Sequence, residues 1–227
     1  MKRRPWKGGA GALAALAVLT ALTVAAPARA ESEAEREFFQ VVELDSGPSV
    51  AAKLRAGQDP NALNARGQAP LHWALRHQSA AALQALLADP RTDVNLPNAL
   101  GESPLALAAL RARLDWVKAL VARGARVTPA PGSAQWHALH YAASGEDRGV
   151  VAWLVEQGAE LDARSPNGST PLMLAWGYGS VDAARWLMQR GAHTELRNEQ
   201  GLSAWDFAKR AGRDDLAKRY GLKPPAP

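Results

Sequence analysis

Gly168-Ser169-Thr170-Pro171-Leu172-Met173-Leu174-Ala175 decides how the rest of the chain is read. Gly168 closes a turn, because glycine adopts a positive φ without a steric cost. Thr170 stands where a helix needs an N-cap, whose hydroxyl accepts a bond from an unpaired amide of the first turn. Pro171 follows at the first helical position, where no amide is lost. Leu172, Leu174 and Ala175 then open an apolar face. One such octet is a helix start and nothing more.

The octet recurs. Gly67–Ala74, Gly101–Ala108, Gln135–Ala142 and Gly201–Ala208 align with it, and the closing alanines at 74, 108, 142, 175 and 208 fall 34, 34, 33 and 33 residues apart. A second block trails each of the first four: Leu83-Gln-Ala-Leu-Leu87, Val117-Lys-Ala-Leu-Val121, Val151-Ala-Trp-Leu-Val155 and Ala184-Arg-Trp-Leu-Met188. Apolar residues at i, i+3 and i+4 make each block an amphipathic helix. Gly124, Gly158 and Gly191 stand where three of these helices should stop. The first unit ends differently, at Asp89-Pro90-Arg91-Thr92, and is one residue longer. Each unit is therefore turn, helix, short link, helix, turn, and a fixed period of this size signals a stacked array.

The pattern resembles the ankyrin repeat. Ala69-Pro70-Leu71-His72, His137-Ala138-Leu139-His140 and Thr170-Pro171-Leu172-Met173 stand at the family's Thr-Pro-Leu-His tetrapeptide, and Asn64, Asn98 and Asn198 replace the Asp before the turn. The resemblance covers about 60 to 222. It implies an all-α solenoid of stacked helix-turn-helix units with β-hairpin-like loops. The repeats run at about 64–97, 98–131, 132–164, 165–197 and 198–222. Residues 31–63 form a degenerate first repeat or cap, with helices at Glu35–Leu44 and Ser49–Ala56, and 223–227 form a disordered tail. Two repeats depart from the pattern. The third has Gln135 for Gly behind Pro129 and Pro131, so its hairpin is expected to be bent, since Pro cannot donate to pairing. The fifth lacks the Pro and carries Asp206, as suits a terminal unit with one face in water.

Residues 1–30 carry the pattern of an export signal. Lys2, Arg3, Arg4 and Lys7 form a basic start, Ala10–Ala26 is apolar, and Ala28-Arg29-Ala30 fits a small-x-small cleavage site. The competing reading, an uncleaved anchor, needs ~20 strongly apolar residues, and this run is shorter and Ala-rich. Arg3-Arg4 also suggests a twin-arginine signal, against which Lys7 stands where that motif wants an apolar residue. The formal charge of +5 belongs to this segment: without its five basic residues, 22 basic and 22 acidic residues remain. No bulk electrostatic case for nucleic acid survives. A periplasmic, monomeric protein with no membrane span after cleavage is expected.

No catalytic constellation is present. The chain has no Cys, so thiolate chemistry is excluded. His137 and His140 form a possible metal pair, but no further ligands complete a site. His72 and His140 hold the position whose usual job, by the resemblance, is hydrogen bonding between neighbouring turns. Glu146-Asp147 and Asp214-Asp215 sit at helix links, where acids favour the following N-terminus. No cofactor is implied. Trp153 and Trp186 align in the second helices and are expected to pack there.

In ankyrin-like arrays the partner surface is built from hairpin tips, the residue after the turn Gly, and two inner-helix residues after the Ala pair. Carried onto this sequence, these positions give Arg66, Leu100 and Asn167 at the tips. They give Gln68, Glu102, Trp136, Ser169 and Leu202 after the turns, and Arg76, His77, Arg111 and Tyr178 on the inner helices. The resemblance thus implies a non-enzymatic scaffold that binds another protein by its concave face, in stress protection or toxin immunity. The alternatives are an exported enzyme and a purely structural self-assembly module built on the same repeats.

Overall fold

The computed structural model describes residues 31–128 and 136–224. Six helix pairs follow one another among them. The pairs are α1 (Glu33–Glu43) with α2 (Gly47–Arg55), α3 (Pro70–His77) with α4 (Ala80–Ala88), α5 (Pro104–Leu110) with α6 (Leu114–Ala122), α7 (Ala138–Ser144) with α8 (Arg148–Glu156), α9 (Pro171–Gly177) with α10 (Val181–Gln189), and α11 (Ala204–Arg210) with α12 (Asp214–Arg219). The all-α architecture matches the expectation. The cap helices start two residues earlier than expected, because Ser32 makes a capping box with Glu35 and Pro48 lies within the first turn of α2. The export segment, the Pro-rich hairpin of the third repeat and residues 225–227 lie outside the described residues. No described helix is long and apolar enough to cross a membrane.

Capping chemistry sets the element bounds. Thr170 accepts from the Met173 amide at 3.4 Å and Ser103 from the Ala106 amide at 3.1 Å. Ala69, at the same place before α3, has no side chain to offer. Three outer helices end in one motif. Gly124, Gly158 and Gly191 have φ of 92–93°, and the following Ala125, Ala159 and Ala192 amides bond back to Leu120, Leu154 and Leu187 at 2.9–3.0 Å. The exceptional first unit closes instead through Thr92, whose hydroxyl donates to the Leu86 carbonyl at 2.6 Å.

The inner helices α1, α3, α5, α7, α9 and α11 pack on one another in chain order, with the outer helices forming a second layer. The core is periodic like the sequence. Leu71, Leu105, Leu139 and Leu172 are each at most 1 % exposed, and Leu86, Leu120, Leu154 and Leu187 are all fully buried. Trp116 and Trp186 are buried in the outer layer and Trp153 is half-buried against the core. The tightest approach is at Gly179, where a Cβ would lie 1.9 Å from the Ala143 carbonyl oxygen. Next to it the Ser180 amide donates to the Gly145 carbonyl at 3.1 Å.

Arginines fasten neighbouring repeats. Arg91 donates to the Leu54 carbonyl at 2.8 Å, Arg111 to Arg76 at 3.1 Å and Arg123 to Asp89 at 3.0 Å. Arg213 donates to Ala175, Trp176 and Gly179 at 3.4, 3.2 and 2.7 Å. In each case a guanidinium from one repeat meets carbonyls at the end of a helix in the repeat before, the electronegative end where a cation is favoured. Asn61 and Asn95 make a second set of stitches. Each accepts from an amide of the next repeat and donates to a carbonyl there, at 2.8–3.0 Å. Asp162, at the equivalent place, bonds the His193 amide and ring at 3.0 and 2.6 Å.

Candidate functional site on the inner-helix face

The hairpin tips are built by one side chain each. Asn64 Oδ1 accepts from the Arg66 and Gln68 amides at 2.9 and 3.0 Å, and Asn98 and Asn198 repeat the arrangement. In the fourth repeat Ser165 takes this role, with Asn167 sharing the Ser169 amide. Two backbone bonds close each tip: the amides of 64, 98, 165 and 198 donate to the carbonyls of 68, 102, 169 and 202 at 3.0 Å, and the turn glycines 67, 101, 168 and 201 donate back to 64, 98, 165 and 198 at 2.8–2.9 Å. The loops are thus hairpin-like turns; the only bridge of strand type among the described residues is Arg197 with Ser203. Neighbouring tips touch. The Ala99 amide donates to the Gly67 carbonyl at 2.9 Å and Glu199 to Asn167 at 3.1 Å. Gly67 has φ +65°, and a Cβ there would strike Ala99 at 2.5 Å.

Two candidates after the turns are not surface residues. Gln68 is 5 % and Ser169 1 % exposed. At Ser169 and Glu102 the side chain reaches the next repeat. Ser169 Oγ accepts from Asn198 Nδ2 at 3.1 Å. Glu102 runs the same way: one carboxylate oxygen accepts from Tyr141 at 3.0 Å and the other from Asn98 Nδ2 at 2.8 Å. Burial, with that carboxylate alongside, pushes the Tyr141 hydroxyl up and keeps it a donor. Trp136 and Leu202 are half-buried, and the Trp136 ring meets His140 edge-on with centroids 5.6 Å apart. Asn167 Oδ1 serves its own tip, and Arg111 holds the end of α3.

The tetrapeptide histidines are latches. His140 Nδ1 accepts from the His137 amide at 3.3 Å. Nε2 therefore carries the proton and donates to the Ala163 and Ser169 carbonyls of the next repeat, both at 3.0 Å. Neither nitrogen of the His140 ring remains for a metal. Burial lowers this ring to about 3. His72 Nε2 lies 3.2 Å from the Glu102 carbonyl, and burial lowers it to about 4.

What stays open on this face is Arg66, Arg76, His77, Leu100, Arg111 and Tyr178. Leu100 is 60 % and Tyr178 42 % exposed. Arg66 lies over the Trp73 ring at 5.7 Å, and that ring faces His77 at 4.3 Å. Tyr178 meets Phe207 edge-on at 6.3 Å. Two members were not singled out from sequence. Trp73, beside the tetrapeptide His, is signalled by its aromatic type alone. Leu44, three residues before α2 as His77 and Tyr178 stand before α4 and α10, is 70 % exposed. The open hollow of about 300 Å³ between α8 and α10, lined by Arg148, Asp182, Arg185, Trp186 and Gln189, belongs to the outer layer.

A family model for ankyrin repeats in three copies matches residues 38–131 and 128–198. The chain belongs to the ankyrin repeat family. A putative ankyrin repeat-containing protein of Treponema pallidum (strain Nichols) is 35 % identical over 124 residues, 55 % of this chain and 42 % of that protein. The B-cell lymphoma 3 protein homolog of Mus musculus is 31 % identical over 152 residues, covering 66 % and 34 %. The nuclear factor NF-kappa-B p105 subunit of Mus musculus is 30 % identical over 165 residues, covering 71 % and 17 %. The chain spans less than half the length of these relatives. Ankyrin arrays are protein–protein interaction modules, and the likeness carries no further than that.

Proposed function

We propose that this ankyrin array is a non-enzymatic scaffold, exported to the periplasm, that binds one partner protein through its concave inner face. The observation that carries it is where large apolar side chains remain in water. Among the described residues these are Leu44, Leu63, Leu100, Tyr178 and Leu216. Three of them, Leu44, Leu100 and Tyr178, occupy groove or tip positions. Large apolar side chains left in water at the positions that face partners in such arrays support an interaction surface there, and aromatic and arginine side chains are its commonest anchors. Export is supported by the basic start, apolar run and Ala28-Arg29-Ala30 site. Protection of an envelope enzyme and immunity to a toxin both suit such a scaffold.

The experiment is affinity capture from the envelope fraction of the native cell with the parent and with Leu100→Ala/Tyr178→Ala. A specific partner, held by the parent and lost by the double variant, is expected. Equal capture by both proteins would remove the support for this face.

A further inference from the structure

Three arginines stand on neighbouring elements at the N-terminal half of the inner face, all exposed. Arg66 lies over Trp73 at 5.7 Å, and Trp73 faces His77 at 4.3 Å, next to Arg76 in α3. Arg111 reaches back from the next repeat, 3.1 Å from the Arg76 carbonyl. None of the three has a described carboxylate within 4.0 Å, whereas Arg91, Arg113 and Arg185 pair with Asp89, Asp115 and Asp182 at 2.6, 2.8 and 3.5 Å. The acids at this end are turned elsewhere. Glu43 faces His77 at 3.6 Å, Glu102 holds Tyr141 and Asn98, and Glu31 accepts from the Ala65 amide. Leu100, on the tip bonded to the Arg66 tip, stands beside this cluster with its side chain in water.

Guanidinium groups carry forked donors that match carboxylates. Like charges gathered without counter-charges oppose each other until a partner supplies them. We infer that this half of the groove receives an acidic segment of the partner protein, its carboxylates on Arg66, Arg76 and Arg111 and an apolar side chain on Leu100. The inference rests on binding at the inner face as proposed above and adds the chemistry of what binds.

The test is fluorescence anisotropy of the purified protein with three labelled probes at low ionic strength. The probes are a short peptide of glutamates interspersed with leucines, its glutamine analogue, and an oligothymidylate. The glutamate peptide should bind about tenfold tighter than the glutamine analogue, and more tightly than the oligothymidylate. Arg66→Glu/Arg76→Glu should cancel that preference, while Arg210→Glu, on α11, leaves it in place. Circular dichroism melting of each variant separates lost binding from lost folding. Equal binding of the two peptides, preference for the oligothymidylate, or an equal effect of Arg210→Glu overturns the inference. Its failure is distinguishable from failure of inner-face binding. If the two peptides bind the parent equally and Leu100→Ala/Tyr178→Ala weakens both, the face stands and the acidic preference falls. Peptide binding indifferent to every one of these substitutions takes both away.

Discussion

His72 and His140 sit neutral in the core, held between repeats by carbonyls. In the unfolded chain both titrate near 6.5, the ordinary histidine value. Below that pH the unfolded chain binds protons that the folded chain refuses, so stability falls as pH falls. The window runs from about 6.5 down to about 4 for His72 and about 3 for His140. Across the whole window the combined loss is up to roughly 8 kcal/mol, read by denaturant titration across that range. His193 acts in the opposite sense. Its bond to Asp162 raises it, so its small contribution at an exposed site is present at low pH and lost as pH rises through the raised value. Ala69 offers a test of the capping account. Thr170 shows that a threonine fits the equivalent place in the repeat while 1 % exposed. Ala69→Thr should stabilise the fold by ~1 kcal/mol, seen as a higher melting temperature; an unchanged or lower value would deny α3 a missing cap. At this scale the tetrapeptide histidines were legible in the sequence. The burial of Gln68 and Ser169 was not, because what covers a residue after the turn is supplied by the stack and not by its own repeat.

The helices themselves were legible because their signals are local. Pro at a first turn, Ser or Thr before it and Gly after the last apolar residue need no partner to act. The links between helices differ, since what they touch comes from another repeat. Gly179 reads as an ordinary loop residue, yet it lies where α9 passes into α10 against the backbone of α7. Gly179→Ala should therefore cost ~2–4 kcal/mol through overpacking. Gly57→Ala is the contrast. Its φ is +98° with open space around it, so only the left-handed conformation is penalised, by ~1–2 kcal/mol. Equal melting temperatures for the two variants would mean that the close approach of α9–α10 to α7 is absent in solution. The arginine fasteners at helix ends were equally invisible. Arg111 reads only as a partner-surface position and Arg213 carries no signal of its own, and only the stack shows which carbonyls they meet.

The whole molecule follows from repetition: a single helix pair leaves an apolar face bare, and neighbours bury it. Leu172 is fully buried at the repeated position. Leu172→Ala should cost ~2–5 kcal/mol, measured by thermal melting, and a melting curve identical to the parent would count against a shared core. Period and motif made this architecture legible. The partner surface was legible only as positions, because stacking decides which of those side chains stay in water. That face is also where photo-crosslinking tests the account most directly. A photoreactive amino acid placed at Leu100 or Tyr178 should capture one partner protein in the native cell, while the same group at Lys118 or Gln189 on the outer helices should not. A partner captured from the outer helices, with none from Leu100 or Tyr178, would contradict it.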